Sequence, residues 1–248
     1  MKKFTNRVKY VWRGIFDEIT IPEYVSWWVV RALFIYAVLK QTEPLQIFLF
    51  SINALSLFAM PLIRFLFPKK SFIAAIPMRC QHLVTFMEFI SMFLGNFAGA
   101  YSVIPKYDWI LHAISGPVAV IGGYFIYKAI LKKENRLDSL SPTVGTVFSA
   151  SFSFVVITLW EIVEFFSDFL LGSENQGYRF IPGENDPFVK VFGHGAITDG
   201  AQFPLYDTMC DMTCAAVTTF VFSLAFFFVI KAIKKKNTKP EFELETIQ

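Results

Sequence analysis

Six long apolar runs are the feature that most constrains the fold of this 248-residue chain. They lie at about 24–40, 46–67, 82–104, 109–131, 143–168 and 207–231. An α-helix needs about 20 mostly apolar residues to cross the hydrocarbon core of a bilayer, and a helix satisfies its own backbone hydrogen bonds there. The runs therefore predict an all-α fold, a polytopic membrane helix bundle of about six transmembrane helices.

The composition agrees with this prediction. Hydrophobic residues make up 54% of the chain and charged residues 17%, whereas soluble domains contain about 25% charged residues. The formal net charge is only +3, which gives no support for nucleic-acid binding. The lipid bilayer is the partner that the composition predicts.

Basic residues are concentrated at the two ends of the chain and in every second loop between the apolar runs. The basic segments are 1–23, 68–81, 132–141 and 232–248. Loops rich in Lys and Arg stay in the cytoplasm, which predicts that both termini are cytoplasmic. The chain then divides into a basic N-terminal segment (1–23), a six-span membrane domain (24–231) with a long extracytoplasmic loop at about 169–206, and a polar tail (232–248).

Three of the runs carry pairs of ionisable residues spaced three or four positions apart. The pairs are Asp108 and His112, Glu161 and Glu164, and Asp207 and Asp211. These spacings put both members of a pair on one helix face. Ionisable side chains inside a membrane are costly and usually face the interior of a bundle, so each pair predicts a polar face turned toward the neighbouring helices.

The predicted topology brings the three polar faces to one depth. The fourth and sixth spans begin outside and the fifth ends there, so all three pairs lie near the extracytoplasmic surface. His112, Asp211 and either Glu161 or Glu164 form a deeper layer. Ser115 continues the face of Asp108 and His112.

Carboxylates crowded at low dielectric must be protonated, paired or bridged by a cation. A divalent metal ion resolves this repulsion directly, and Asp, Glu and His on facing helices are typical carboxylate-site ligands. The hypothetical metal ligands are Asp108, His112, Glu161, Glu164, Asp207 and Asp211. His112 and Glu164 are also the candidates for acid–base catalysis.

A purely structural interpretation accounts for part of this pattern. Asp108 and Asp207 can serve as helix N-caps, and Asp168 can simply be exposed. The deeper residues are not explained in this way. Glu88 in the third span is a separate case, because it either relays protons or pairs with Arg31 or Arg64.

The order of these segments resembles the bacterial YjdF-like inner-membrane family, whose members are multi-span proteins of unknown function. The resemblance covers roughly residues 80 to 230. It rests on Glu88, Asp108-Trp-Ile-Leu-His112-Ala-Ile-Ser115-Gly116, Trp160-Glu161-Ile-Val-Glu164-Phe, Asp168, Asn175-Gln176 and Asp207-Thr-Met-Cys-Asp211. The chain departs from the family pattern at Cys210, at Cys214 and where Glu174 directly precedes Asn175. The resemblance implies a location in the bacterial plasma membrane and a joint role for the motif residues, but it supplies no reaction.

Three functions remain open on the sequence. The first is a metal-dependent enzyme acting on a lipid or lipid-linked headgroup, with Asp211 and Glu161 as ligands and the 169–206 loop as a lid. The second is a proton- or cation-coupled transporter in which Glu88 extends the path inward. The third is a structural or accessory membrane protein whose polar faces hold helices together.

Overall fold

A computed structural model of the chain describes residues 2–68, 71–173, 175–176 and 203–238, and helices dominate these residues with no strand among them. The helices are α1 (Lys2–Glu18), α2 (Ile21–Lys40), α3 (Pro44–Ser56), α4 (Ala59–Leu66), α5 (Cys80–Glu88), a π-helix (Phe89–Phe97), α6 (Ala100–Val103), α7 (Tyr107–Lys133), α8 (Pro142–Leu171) and α9 (Phe203–Thr238). The all-α prediction is confirmed. Most of the predicted extracytoplasmic loop and the end of the predicted tail lie outside the described residues.

Three of these helices are long and apolar enough to cross a membrane. They are α7 with 27 residues, α8 with 30 residues and the 31-residue stretch Leu205–Lys235 of α9. All three exceed the roughly 20 residues that a bilayer core requires. They pack against one another and form the bundle that carries the polar faces.

Small residues allow the three long helices to approach closely. A Cβ atom added at Gly116 of α7 would lie 2.6 Å from the backbone oxygen of Ala215 in α9, and one at Gly123 would lie 2.9 Å from the Cα of Ser149 in α8. The buried Ser153 hydroxyl donates to the Gly116 carbonyl oxygen at 3.1 Å and lies 2.8 Å from the Thr219 hydroxyl oxygen. This is the packing expected of helices in lipid, where small residues and interhelical hydrogen bonds replace the hydrophobic effect.

The opposite end of the bundle is held by larger apolar side chains. Tyr124, Tyr127 and Leu131 of α7 form a buried cluster with Leu140 and with Ile230 of α9. Small residues around Gly116 and Gly123, and large apolar residues at the end of the bundle near Leu131, therefore fix the register of the three helices.

The predicted span at 46–67 is not one straight helix. It consists of α3 and α4, and the chain bends by 60° where one helix ends and the other begins. Pro61 explains the break, because a proline ring clashes with the carbonyl group four residues earlier and provides no N–H to bond it; here that carbonyl belongs to Leu57, at the junction. Only together are the two helices long and apolar enough to cross a membrane.

The predicted span at 82–104 is also irregular, since it contains α5, the π-helix and the short α6. Gly99 separates the last two with a φ angle of 80°, a backbone conformation that glycine adopts without strain.

The predicted span at 24–40 corresponds to α2, which begins at a capping box formed by Thr20 and Glu23. By length and composition the described residues contain three candidate spans, or four with the bent pair, and the six-span topology stays a prediction.

The first helices form their own core beside the bundle. Val11 and Ile15 of α1 pack with Trp27, Met60 and Met78. An ion pair 2.7 Å long joins Arg64 of α4 to Glu18 of α1, and Glu18 also accepts the Met78 N–H at 2.7 Å. α1 is therefore fixed against α4 and the segment that follows it.

Gly116→Ala should destabilise the bundle, because its new Cβ would meet the Ala215 carbonyl and the Thr218 and Thr219 hydroxyls within 2.7 Å. Overpacking of this kind costs about 1–3 kcal/mol. The midpoint of thermal denaturation of the detergent-purified protein measures the effect. Gly122→Ala is the matched control, since its nearest neighbour would lie at an ordinary 3.6 Å; equal midpoints for the two variants would contradict the close approach.

Candidate functional site

Acidic and histidine side chains from all three long helices meet at one end of the bundle. α7 contributes Asp108 and His112, α8 contributes Glu161 and Glu164, and α9 contributes Asp211. We call these five residues the carboxylate–histidine cluster. The helical spacings put each pair on the inner face, and the close packing at Gly116, about one turn below His112, brings the three faces together.

His112 lies at the centre of the cluster. Its Nε2 atom is 3.7 Å from Oδ1 of Asp108 and 4.0 Å from Oδ2 of Asp211. Its Nδ1 atom is 3.6 Å from Oε1 of Glu161. These distances are too long for hydrogen bonds, so the imidazole lies between three carboxylates without bonding any of them.

The deeper members of the cluster are almost completely buried. The exposed fractions are 1% for Asp211, 5% for His112, 5% for Glu161 and 9% for Glu164. Both carboxylate oxygens of Glu161 and Oδ1 of Asp211 are buried without a hydrogen-bond partner. Within the described part of the chain, no Lys or Arg forms an ion pair with Glu161, Glu164 or Asp211.

Two sets of three side chains have donor atoms close enough to share a metal ion. The sets are Asp108, His112 and Asp211, and His112, Glu161 and Glu164, with all donor atoms of a set within 4.8 Å of one another. His112 belongs to both sets. Ligands bound tetrahedrally about 2.1 Å from a metal lie about 3.4 Å apart, so the two His112 contacts of the first set, at 3.7 and 4.0 Å, need only a small contraction.

Neither outer aspartate is a helix N-cap, which corrects that part of the structural interpretation. α9 begins at Phe203, four residues before Asp207, and the N-cap of α7 is Lys106 rather than Asp108. Asp207 is half-buried and interacts electrostatically with Lys106 and Asp168. It lies at the outer edge of the cluster, as its sequence position predicts.

Two further polar residues have local partners. Glu164 accepts a hydrogen bond of 2.7 Å from the indole N–H of Trp160, one turn earlier on α8. The Ser115 hydroxyl donates to the His112 carbonyl oxygen at 2.8 Å. Trp160 thus orients Glu164 toward the other carboxylates, whereas Ser115 bonds its own helix.

Asp168 organises the chain just beyond α8. Its Oδ1 atom accepts the backbone N–H of Asn175 at 2.8 Å and its Oδ2 atom that of Gln176 at 2.9 Å. The Gln176 amide then donates to the Thr208 hydroxyl of α9 at 3.0 Å. Asp168 therefore has a positioning role that the exposed-residue interpretation missed, and Gln176 links α8 to α9 beside the cluster.

Tyr101 is a neighbour of the cluster that the sequence analysis did not single out. Its phenol lies within electrostatic range of the carboxyl groups of Asp108, Glu164 and Asp211. Its ring packs edge-on against Tyr107 with the ring centres 5.2 Å apart, and it lies so close to Gly95 of the π-helix that a Cβ there would clash. No spacing pattern connects Tyr101 to the three acidic pairs, so only the fold reveals it.

Glu88 lies outside the cluster, and the described residues show neither of the two predicted ion pairs. It accepts a hydrogen bond of 3.0 Å from the Ser56 hydroxyl. Arg64 pairs with Glu18 instead. The Arg31 guanidinium stacks 3.6 Å from the ring centre of Trp27 and donates to the Trp27 carbonyl. The proton-relay interpretation of Glu88 stays a prediction.

The three candidate spans and the polar end of their bundle define a class, an all-helical membrane protein with a buried carboxylate–histidine cluster. The family model for the predicted membrane proteins DUF2238 matches residues 23–232, and the chain belongs to that family. It is the same family as the YjdF-like proteins that the motifs resemble. No curated protein and no solved structure matches the chain.

Asp168→Ala should release the backbone after α8, because the N–H groups of Asn175 and Gln176 lose their acceptors. Hydrogen bonds to a charged group contribute about 1.5–3 kcal/mol, so we expect hydrogen exchange at these two amides to accelerate about tenfold or more. Ser167→Ala is the control, since it removes only a side-chain contact with Ser173. Unchanged exchange in Asp168→Ala would show that the carboxylate does not hold this segment.

Proposed function

We propose that the carboxylate–histidine cluster binds a divalent metal ion, and that the protein is a metal-dependent membrane enzyme acting on a lipid or lipid-linked headgroup. The observation that carries the proposal is the set of buried carboxylate oxygens without partners on Glu161 and Asp211. Proteins in general pair buried charges or use them to coordinate metals. A cation bound there would be the partner of Asp211, and the Nδ1–H of a metal-binding His112 would be the partner of Glu161.

The spacing of the donor atoms supports one arrangement in particular. Asp108, the Nε2 atom of His112, and Asp211 form the ligand set. Glu161 then lies on the Nδ1 side of the imidazole at 3.6 Å, where a carboxylate commonly orients a metal-binding histidine. Asp, Glu and His together suit Zn²⁺, Mn²⁺ or Fe²⁺ better than they suit thiol-seeking metals.

The side chains of the cluster have different roles in the proposed reaction. Asp108, His112 and Asp211 would hold the divalent cation, which would activate a water molecule or polarise a phosphoryl or carbonyl oxygen when bound. Glu164 is the acid–base candidate, because the Trp160 indole holds one of its oxygens and keeps the carboxylate beside the ligands. Asp207, at the outer edge of the cluster, lies where a headgroup would enter.

The location of the cluster supports a lipid substrate. It lies at the end of three helices of membrane-spanning length, which is the depth of lipid headgroups. The outer face of α8 at this level exposes Phe165, Phe166 and Phe169, which suits contact with acyl chains. The alternating charge of the loops supports an extracytoplasmic position for the cluster and cytoplasmic termini in a bacterial plasma membrane.

The first test is the metal content of the full-length protein purified in detergent. We expect about one divalent metal ion for each unaltered chain and loss of the metal in Asp211→Asn, which keeps the shape of the side chain but removes its charge. Elemental analysis by mass spectrometry measures the content. Asp138→Asn is the matched control, because Asp138 is exposed and lies beyond the other end of α7, five residues after Lys133.

A metal-free unaltered protein with an intact fold would contradict the metal site. Equal metal content in Asp211→Asn and the unaltered protein would show that the metal binds elsewhere. Metal loss in Asp138→Asn as well would point to weak binding by surface carboxylates.

A transporter is the second candidate. The hydrogen bond between Ser56 and Glu88 favours this function, because it holds a second carboxyl group within the helical region, away from the cluster. On the enzyme proposal, Glu88→Gln should keep the full metal content of the cluster. Proton uptake by proteoliposomes gives the second measurement. Proton uptake that is driven by an imposed gradient and abolished in Glu88→Gln would favour the transporter over the enzyme.

A further inference from the structure

We infer that the protein has a second binding site, for the phosphate of an anionic phospholipid headgroup, at the end of the bundle opposite the carboxylate–histidine cluster. The site is a cavity of about 610 Å³ between α1, α4 and the C-terminal end of α7. Its charged lining residues are Arg13, Asp17, Glu18, Arg64, Lys132 and Lys133. We call this cavity the basic pocket.

The basic pocket has an excess of positive charge. Arg64 and Glu18 neutralise one another across 2.7 Å. Arg13, Lys132 and Lys133 then face the single carboxylate of Asp17. The two lysines end α7, where the carbonyl groups of the last turn favour cations. An anion is therefore the ligand that the electrostatics select.

Arg64 shows that the pocket is more than a patch of surface lysines. Only 4% of its surface is exposed, and its Nε atom is buried without a hydrogen-bond partner. Its Nη2 atom is held by Glu18 and by the Ile76 carbonyl oxygen at 2.9 Å. Its Nη1 atom lies against Gly14, where any Cβ would collide with it. The guanidinium is thus held in one position in the pocket wall by buried contacts.

The surroundings favour a lipid headgroup over a free anion. α1 carries Lys and Arg along its length and also exposes Phe4, Trp12 and Phe16, as helices do that lie in the membrane interface. On its other side is an apolar groove of about 330 Å³ formed with α2 and α4. The pocket therefore lies where the phosphates of a bilayer lie, with apolar surface nearby for acyl chains.

The pocket is independent of the carboxylate–histidine cluster. Lys132 follows Asp108 by 24 positions on the same helix, which separates them by about 36 Å. The two sites therefore lie at opposite membrane faces, and the predicted loop charges make the face of the pocket cytoplasmic. Basic pockets between helices on that face commonly bind anionic headgroups.

The test measures phosphatidylglycerol and phosphatidylcholine binding to the full-length protein by native mass spectrometry. We expect the unaltered protein to bind phosphatidylglycerol more tightly than phosphatidylcholine. In the combined variant Arg13→Gln, Lys132→Gln and Lys133→Gln, phosphatidylglycerol binding should be about a hundredfold weaker, because the loss of each cation weakens it about fivefold. The matched control, Lys9→Gln with Arg136→Gln and Lys231→Gln, removes three exposed charges outside the pocket lining. It should leave the affinity close to that of the unaltered protein.

A second variant separates shape from charge. Ala75 lines the pocket, so Ala75→Phe should weaken phosphatidylglycerol binding without altering any charge. Equal losses in the pocket and control triple variants, or full binding in Ala75→Phe, would overturn the site. Inorganic phosphate that binds as tightly as phosphatidylglycerol in a calorimetric titration would overturn the lipid assignment.

Discussion

The close contact of α7 with α8 and α9 at small residues determines where the members of the carboxylate–histidine cluster lie. Gly116 and Gly123 allow α7 to meet the backbones of its neighbours, and Ser153 joins the Gly116 carbonyl to Thr219. A larger residue at these positions would separate the helices that carry His112, Glu161 and Asp211. The geometry of the cluster is thus a consequence of packing one turn below it.

The same hydrogen bonds argue against a purely structural role for the carboxylates. Ser153, Thr219 and backbone carbonyls already provide neutral interhelical bonds of the kind that stabilise helices in lipid. Both carboxylate oxygens of Glu161 and one oxygen of Asp211 lack a hydrogen bond of ordinary geometry, although the Thr208 hydroxyl lies close to Glu161. Groups that make no bonds do not hold helices together, so their burial lowers stability unless a cation or proton neutralises them.

The acidic pairs and their convergence were predictable because helical periodicity and loop charge are both local properties of the sequence. The sequence also contained the signal for the bend between α3 and α4, since Pro61 lies four residues after the carbonyl that it displaces. The π-helix and the approach of Tyr101 to the cluster were not predictable, because they depend on contacts between segments. Asp168 was misjudged for the same reason: its partners are backbone amides whose positions only the folded chain defines.

Pro61 and Pro117 show that packing against neighbouring helices decides whether a proline bends its helix. Both prolines lie in apolar runs and both remove a backbone hydrogen bond, yet α3 and α4 bend by 60° while α7 continues unbroken through Pro117. Neighbouring helices that fit against α7 on two sides hold it helical, as membrane helices commonly tolerate proline. The cluster therefore rests on rigid elements, which suits a site that must hold charged ligands at fixed distances.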